Sequence, residues 1–554
     1  MSDIRRSILW VIFAFSLVLL WDAWQVHNGR PKTFFPAPQD QPAASAPATG
    51  TQPVAALPGA APAVVDAATA PAVPRQTYVV STDLLKLSFD SEGGSLIGAD
   101  LLKHLSTGQS TPVRLLLQND QHTYVAQTGL LGSSALPNHK VAMRLVGQAR
   151  DLAEGQDSLS LRFESAPVGG VVLAKTYTLK RGAYDIAVKH EVINQGAAPV
   201  SPQLYLQLVR DGREAGSDVP FASTFTGPAV YSDAAKFQKI AFEDIDKNKA
   251  DFSKSANDGY VAMVQHHFAS AWLLDAGVAR ENYAEKVPGG TLYRAGQKIE
   301  LGAIAPGQSK AVEARLFVGP QEEKVLEQLA PGLELVKDYG WTTIVAKPLY
   351  WLLEKIHAFV GNWGWAIVLL VVVIKAAFYW LNANAYRSMA KMKAVNPRIQ
   401  EMRERLKDKP QQMQQEMMRI YREEKVNPMG GCFPILIQIP VFIALYWVLL
   451  SSVEMRNAPW ILWIKDLSTP DPYYILPLLM TVTSMLQTAL NPAPPDPMQA
   501  KMMWIMPLVF SVMFFFFPAG LVLYWLTNNI LSIAQQWVIN TRMGVPPQFN
   551  LPKF

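Results

Sequence analysis

Apolar residues follow three different rhythms along this chain, and each rhythm keeps to its own stretch. Between about Tyr78 and Gly319 they alternate in short runs: Leu85, Leu87 and Phe89; Leu159, Leu161 and Phe163; Ile186, Val188 and His190; Leu204, Leu206 and Leu208. A period of two places such residues on one face of a strand. Turn-forming groups separate the runs, among them Glu92-Gly93-Gly94, Arg181-Gly182 and Asn194-Gln195-Gly196. The pattern predicts a large antiparallel β-sandwich with many strands. Gln321 to Asp338 reads as helix.

From Trp341 to Val360 the spacing becomes helical. Leu349, Leu352, Leu353, Ile356, Phe359 and Val360 share a face, with Glu354, Lys355 and His357 elsewhere. This predicts an amphipathic helix lying in a membrane interface; a helix packed on the soluble domain is the alternative.

The third rhythm is the continuous apolar run. Five such runs follow the sandwich, near Trp363–Leu381, Phe433–Leu450, Tyr474–Leu490, Trp504–Phe517 and Gly520–Ile539, and a sixth, Ile8 to Trp21, opens the chain behind Arg5 and Arg6. Their lengths suit membrane spans. The first run reads as a retained signal anchor; a cleaved signal peptide ending near Ala43-Ala44-Ser45-Ala46 is the alternative. Pro36 to Pro74 is rich in Ala and Pro and too poor in large apolar groups to fold, so it reads as a linker.

Charge orients these spans. Asn384 to Asn427 carries eleven Lys and Arg, whereas Ser451 to Pro472 has only Arg456 and Lys465. The first segment therefore belongs in the cytoplasm and the second outside. With the anchor entering from the cytoplasm, this gives six spans, both termini inside and the sandwich outside. Within the cytoplasmic segment, Met389, Met392, Ile399, Met402 and Leu406 form one stripe. Met413, Met417, Ile420 and Tyr421 form another beyond Asp408-Lys409-Pro410, as in a helical hairpin.

A net charge of +5 is too small to indicate DNA or other nucleic acid. Cys432 is the only cysteine, which excludes an intramolecular disulfide and a cysteine-built zinc site. No phosphate-binding glycine loop, zinc-protease motif or nucleophile elbow is present. His266 and His267 are adjacent, so on a strand they would point to opposite faces.

The chemistry that stands out lies within the apolar runs. Lys375 interrupts the second span, where a cation costs roughly 2.5–3.5 kcal/mol on insertion scales. Something must offset that cost: snorkelling to the interface, a partner, or water inside the membrane. Gln438, Gln487, Thr527 and Asn528 add polar groups within other spans, the last two just after Tyr524-Trp525. Inter-helical hydrogen bonding is the plainer reading of these amides and hydroxyls. No Asp or Glu within the spans pairs with Lys375, which speaks against a proton-coupled pump. A secondary transporter would also need inverted repeats and broken helices, which are not evident. A membrane-anchored carbohydrate enzyme is the other reading, because large β-sandwiches can act on sugars.

Several motifs in order bear a family resemblance: Asn362-Trp363-Gly364, Ser388-Met389-Ala390-Lys391-Met392, Glu424-Lys425-Val426-Asn427-Pro428, Gly430-Gly431-Cys432-Phe433-Pro434, Asp471-Pro472-Tyr473-Tyr474-Ile475-Leu476-Pro477, Asp496-Pro497-Met498-Gln499 and Phe517-Pro518-Ala519-Gly520-Leu521-Val522-Leu523-Tyr524-Trp525. The chain resembles the YidC/Oxa/Alb insertase family in its Gram-negative form. The resemblance implies a polytopic α-helical membrane protein with six transmembrane helices, five of them an insertase core, and a large periplasmic antiparallel β-sandwich. Segment by segment, it implies an anchor helix (1–25), a linker (26–75), the sandwich with its C-terminal helices (76–340) and an interfacial helix (341–361). Transmembrane helix 2 (362–382), a cytoplasmic hairpin (383–430), helices 3 to 6 (431–540) and a cytoplasmic tail (541–554) follow.

It further implies a hydrophilic groove, open to cytoplasm and lipid, lined by Lys375, Gln438, Gln487, Tyr524, Trp525, Thr527 and Asn528. Lys375 stands where the family usually has arginine, and Val371 where some members have threonine. The implied partners are nascent membrane proteins, the Sec translocon (SecYEG and SecDF), the ribosome, the signal-recognition-particle receptor and membrane lipids. No enzymatic activity, cofactor or metal is implied, and the outer domain resembles a mutarotase-like sandwich.

Overall fold

Alternating apolar positions become strands. The structure, a computed structural model, describes residues 75–106, 110–132, 135–213, 224–406, 409–424, 433–491, 497–544 and Phe549. The expected anchor helix and nearly all of the linker lie outside the described residues, as does most of the tail. The chain divides into two compact units, with the boundary in the described residues between Lys337 and Asp338.

The first unit is built on two antiparallel nine-stranded sheets. Strand Gln203–Asp211 sits mid-sheet between Thr123–Leu131 and Leu292–Glu300. In the other sheet Ser309–Pro320 joins Phe268–Leu273 to Asp185–Asn194. Leu85, Leu87, Phe89, Ile186, Val188 and His190 are all buried, as their alternation predicts. Gly227–Ser232, Tyr260–Val264 and Phe268–Leu273 are buried at every position. Covering both faces of a strand erases the alternation. At the Glu92-Gly93-Gly94 turn Gly93 has φ +70°, and a β-carbon there would lie 2.4 Å from the His139 carbonyl oxygen.

Two expectations for this unit need correction. Residues 321 to 338 do not form one helix. After the short helix α1 (Phe242–Asp246), α2 covers only Glu323–Leu329, and a 3₁₀ turn follows at Leu333–Val336. Pro331 cannot continue the hydrogen-bond ladder, and Gly332 turns left-handed (φ +73°) to bring its carbonyl 2.7 Å from the Tyr260 hydroxyl. His266 and His267 do not point to opposite faces either. They form the tip of a hairpin closed by Gln265 and Phe268, and their rings stack with centroids 3.8 Å apart.

The second unit is helical. α3 (Thr343–Val360) buries Ala346, Tyr350 and Leu353 against α4 (Trp363–Ala377) and α7 (Phe433–Ser451). Phe359, expected on one face with Leu353, is 90 % exposed. Six residues past Leu353 is about 240° around a helix, away from the buried line. The second apolar run does not stay straight to Leu381. It breaks at Phe378, and α5 (Tyr379–Arg405) leaves at 69° to α4. α6 (Pro410–Glu423) returns along α5, with Val395, Ile399, Met402 and Ile420 buried between them and Met392, Leu406, Met413, Met417 and Tyr421 around them.

α8 (Ile475–Leu490), α9 (Pro497–Phe514) and α10 (Ala519–Arg542) complete the unit. α9 begins seven residues before the expected Trp504, because Pro497 suits a first helical turn, and Pro507 lies inside it. Among the described residues no single helix is long and apolar enough to cross a membrane; α4 with the start of α5 passes only as a bent pair.

Candidate functional site

α10 runs through the centre of the helical unit and changes character along its length. Its first two turns, Ala519 to Leu526, are apolar apart from Tyr524, and they lie in a core shared with α3, α4, α7 and α8. Its later turns carry Thr527, Asn528, Asn529, Ser532, Gln535, Gln536 and Asn540, and of these Asn529, Ser532, Gln536 and Asn540 are buried. One end of the bundle is therefore dry, and the other carries a polar layer.

The dry end is closed by the segment between α7 and α8. The Asn362 side chain caps α4 by accepting from the Trp365 N–H (3.1 Å) and donates to the Pro459 carbonyl (3.0 Å). Gly364 lets the segment approach, since a β-carbon there would fall 2.2 Å from Trp460. Asp471, buried, accepts from the Trp463 indole N–H (3.0 Å) and from the backbone N–H groups of Tyr473 (3.0 Å) and Leu476 (2.7 Å). It thereby satisfies donors at the start of α8 that the helix cannot. The Tyr350 hydroxyl donates to Glu454 at 2.6 Å, fixing α3 to the same segment.

At the polar end, Lys375 reaches from the last turn of α4 to α10, and its ammonium donates to the Ser532 hydroxyl at 2.8 Å. Ser532 donates onward to the Asn528 carbonyl (2.7 Å). Gln438 of α7 donates to the Asn528 side chain at 2.6 Å. Asn529 donates to Ser484 of α8 at 2.8 Å. The Gln536 amide lies 3.3 Å from Asn491, and its buried Oε1 has no partner among the described residues.

The site residues expected from sequence therefore separate. Lys375 and Asn528 both hydrogen-bond Ser532, and Gln438 joins Asn528. Tyr524 is 3 % exposed, inside the apolar core. Trp525 packs edge-on to Phe442 (centroids 4.6 Å) and beside Phe514, so it lines the apolar part above the polar layer. Thr527 bonds back to the Leu523 carbonyl within its own helix (2.8 Å). Gln487 makes no side-chain hydrogen bond among the described residues and stands apart. The expected set omitted Ser532 and Asn529. Asn529, Ser532, Gln536 and Asn540 recur at steps of three and four, the signature of one helix face. That stripe is readable in the sequence; the reach of Lys375 from α4 to Ser532 on it is not.

The outside of the bundle is apolar. Leu478, Leu479 and Val482 on α8 and Val509, Phe510 and Val512 on α9 are exposed. An apolar surface of this extent belongs against another apolar phase. In the sandwich, by contrast, the exposed large hydrophobics among the described residues are Val79, Leu105 and Val146.

The sandwich contains a buried basic group of its own. The Lys175 ammonium donates to the carbonyls of Gly93 (2.5 Å) and Thr128 (2.7 Å), and His190 Nε2 lies 3.0 Å from the Thr128 hydroxyl. Burial pushes Lys175 down to about 7 and His190 down to about 3. These groups lie in the interior, and no cluster of metal-ligating residues occurs among the described residues.

Comparison with known proteins gives consistent matches. The family model described as 60Kd inner membrane protein matches residues 355–545, and that described as YidC periplasmic domain matches residues 77–352. The membrane protein insertase YidC of Burkholderia multivorans is 55 % identical over 549 residues, covering 98 % of this chain and 99 % of that protein. That of Cupriavidus metallidurans is 55 % identical over 552 residues, covering 98 % of each. A crystal structure of an active YidC insertase with its first transmembrane domain resolved aligns over 83 % of this chain and 91 % of that one, at 20 % identity and a TM-score of 0.39. A galactose mutarotase related enzyme from Lactobacillus acidophilus aligns over 44 % of this chain and 97 % of its own, at 10 % identity and a TM-score of 0.30. Two family models across the described units, and relatives matched over nearly their whole length, place the chain in the YidC family of inner-membrane protein insertases, a non-enzymatic family, with the sandwich as its periplasmic domain.

Proposed function

We propose that this protein inserts and folds inner-membrane proteins through the polar end of its helical unit, alone or with the Sec translocon. The observation that carries this is Lys375. Its ammonium is held by the neutral Ser532 hydroxyl (2.8 Å), with no carboxylate on it among the described residues, inside a bundle whose outer surface is apolar. A cation so placed keeps its charge available to an incoming anion. Together with Gln438, Asn528 and Asn529, it offers a polar segment hydrogen-bond partners that lipid lacks, and so lowers the desolvation cost of entry.

The six-span topology is part of this proposal. α4 alone, at 15 residues, is about 22 Å long, short of the ~30 Å hydrocarbon core. The bend at Phe378 therefore places Lys375 near the level where the chain turns into the cytoplasmic hairpin. A new protein's polar tail enters at this level. Its apolar segment leaves along the exposed faces of α8 and α9, driven by transfer into lipid. The hairpin and basic tail meet the ribosome and targeting factors on the cytoplasmic side.

The test is insertion of paired substrates that differ only in the charge of the translocated tail, scored by protease protection. Lys375→Arg should retain insertion of both members. Lys375→Ala should impair the acidic-tailed member more, because an ion pair at low dielectric is worth several times its value in water. Equal insertion of both members by Lys375→Ala and the parent protein would remove the cation from the mechanism. A snorkelling lysine predicts that result.

A further inference from the structure

α5 leaves α4 at 69° around Phe378, and the chain just past the bend is open: Tyr379 is 47 % and Trp380 74 % exposed. Trp380, Asn384, Arg387 and Lys391 follow one another at steps of four, three and four, and all are exposed. That spacing puts them in one narrow stripe along α5. Asn382, Ala383, Ala385 and Ala390, turned away from the stripe, are buried, and α5 packs on α7 and α10. The stripe therefore faces away from the bundle. Its charge is of one sign, because no Asp or Glu occurs between Glu354 and Glu401. Neither Arg387 nor Lys391 has an ion pair among the described residues. Arg398, farther along the same stripe, is instead held by Glu423 (3.1 Å) and Glu424 (2.7 Å) at the end of α6.

We propose that the stretch Tyr379 to Lys391 docks on anionic phospholipid headgroups of the cytoplasmic leaflet, with Trp380 at the hydrocarbon boundary and Arg387 and Lys391 on phosphates. This rests on the six-span topology proposed above. With α4 along the membrane normal, each residue of α5 descends about 0.5 Å, a 1.5 Å rise taken at 69°. Lys391 thus lies only about 6 Å deeper than Trp380, within a headgroup layer about 5–8 Å thick on each side of the hydrocarbon core. Arg398, about 10 Å below Trp380, lies past that layer, and there the carboxylates of α6 serve it instead. An exposed tryptophan leading two unmatched cations suits a lipid surface: the ring seats at the boundary, and the cations are drawn to acidic headgroups. The leaflet then fixes the direction in which the hairpin departs.

The experiment uses the full chain on a Cys432→Ser background, in nanodiscs of phosphatidylcholine alone or of an equal mixture with phosphatidylglycerol. A nitroxide on Asn384→Cys, within the stripe, reports depth as protection from a water-soluble nickel chelate. A second, on Glu404→Cys, is the water-exposed reference. The label at position 384 should be protected in the mixture. In phosphatidylcholine alone, or with Arg387→Gln and Lys391→Gln together, its docked-to-undocked ratio should fall about 30-fold, equivalent to ~2 kcal/mol for two cations near an anionic surface. Arg387→Lys, which keeps the charge, should keep the protection. Equal protection in both lipids and in the double variant would overturn headgroup recognition and leave Trp380 as an apolar anchor. A label open to water in every lipid, with position 404 still reached only from the cytoplasm, would refute the docking while the topology stands. Protection that appears only when ribosomal RNA is added would make the stripe a nucleic-acid surface and end the lipid assignment. Labelling of position 404 from the periplasm would bring down the topology and this inference with it.

Discussion

Removing the Asp471 carboxylate should open the closed end of the bundle. Asp471 is buried and accepts three hydrogen bonds, from the Trp463 indole and from the backbone N–H groups of Tyr473 and Leu476. Asp471→Ala leaves all three donors without this acceptor. Losing a helix-capping side chain costs about 0.5–2 kcal/mol, and each further buried donor left unsatisfied costs about 1–3 kcal/mol. Water entering the vacated space recovers part of this, so about 2–4 kcal/mol is expected. That corresponds to a roughly 30- to 1000-fold rise in local opening. Asp471→Asn keeps an acceptor for two of the donors but turns an amide N–H₂ toward the third, so about 1–2 kcal/mol is expected from one mismatched contact. The assay is hydrogen exchange of the full chain in nanodiscs, read on peptides covering Ser468 to Leu476. Exchange should rank Asp471→Ala above Asp471→Asn above the parent. Parent-like protection in Asp471→Ala would show that packing by Trp460 and Trp463, not the carboxylate, closes this end.

Other outcomes follow from the same geometry. Gly364→Ala puts a methyl 2.2 Å from Trp460, and overpacking of this kind costs about 1–3 kcal/mol; thermal unfolding in detergent should fall, and a companion Trp460→Ala should recover part of the loss. In the sandwich, His139 and His190 are pushed down to about 4 and about 3 from 6.5. The unfolded chain then binds more protons below pH 6.5, so stability is highest above 6.5 and declines as pH falls toward 3 to 4. Exchange of strand Asp185–Asn194, corrected for its intrinsic pH dependence, should rise over that window, and His190→Gln should flatten the slope. For topology, a cysteine at Asp466 should be labelled from the periplasm and one at Glu404 from the cytoplasm only, on a Cys432→Ser background. Periplasmic labelling at Glu404 would sink the six-span arrangement.

How much of this was legible in the sequence depended on whether a residue's neighbours lay close along the chain. Period-two alternation marks Ile186, Val188 and His190 because one face of that strand is buried and the other is not. It is silent for Tyr260–Val264, which is covered on both faces. The hairpin stripe of Ile399, Met402 and Ile420 was visible because helical spacing alone defines it. The bend at Phe378 was not, because the apolar run continues through it without a proline or glycine. Lys375 announced itself by its cost in an apolar run. Its partner Ser532 lies 157 residues away, and no local rule connects the two. Both members of the aromatic pair lie on α10, Trp525 against Phe442 and Phe514 and Tyr524 enclosed in the apolar core.

Photo-crosslinking bears most directly on the groove. A photoreactive residue in place of Trp525, and another in place of Lys375, would be presented with a ribosome-stalled nascent membrane protein at successive chain lengths. The groove account predicts adducts at both sites, with position 375 meeting the polar tail at shorter lengths and position 525 meeting the apolar segment at longer ones. Adducts confined to the outer faces of α8 and α9, with neither groove position reacting at any length, would contradict it.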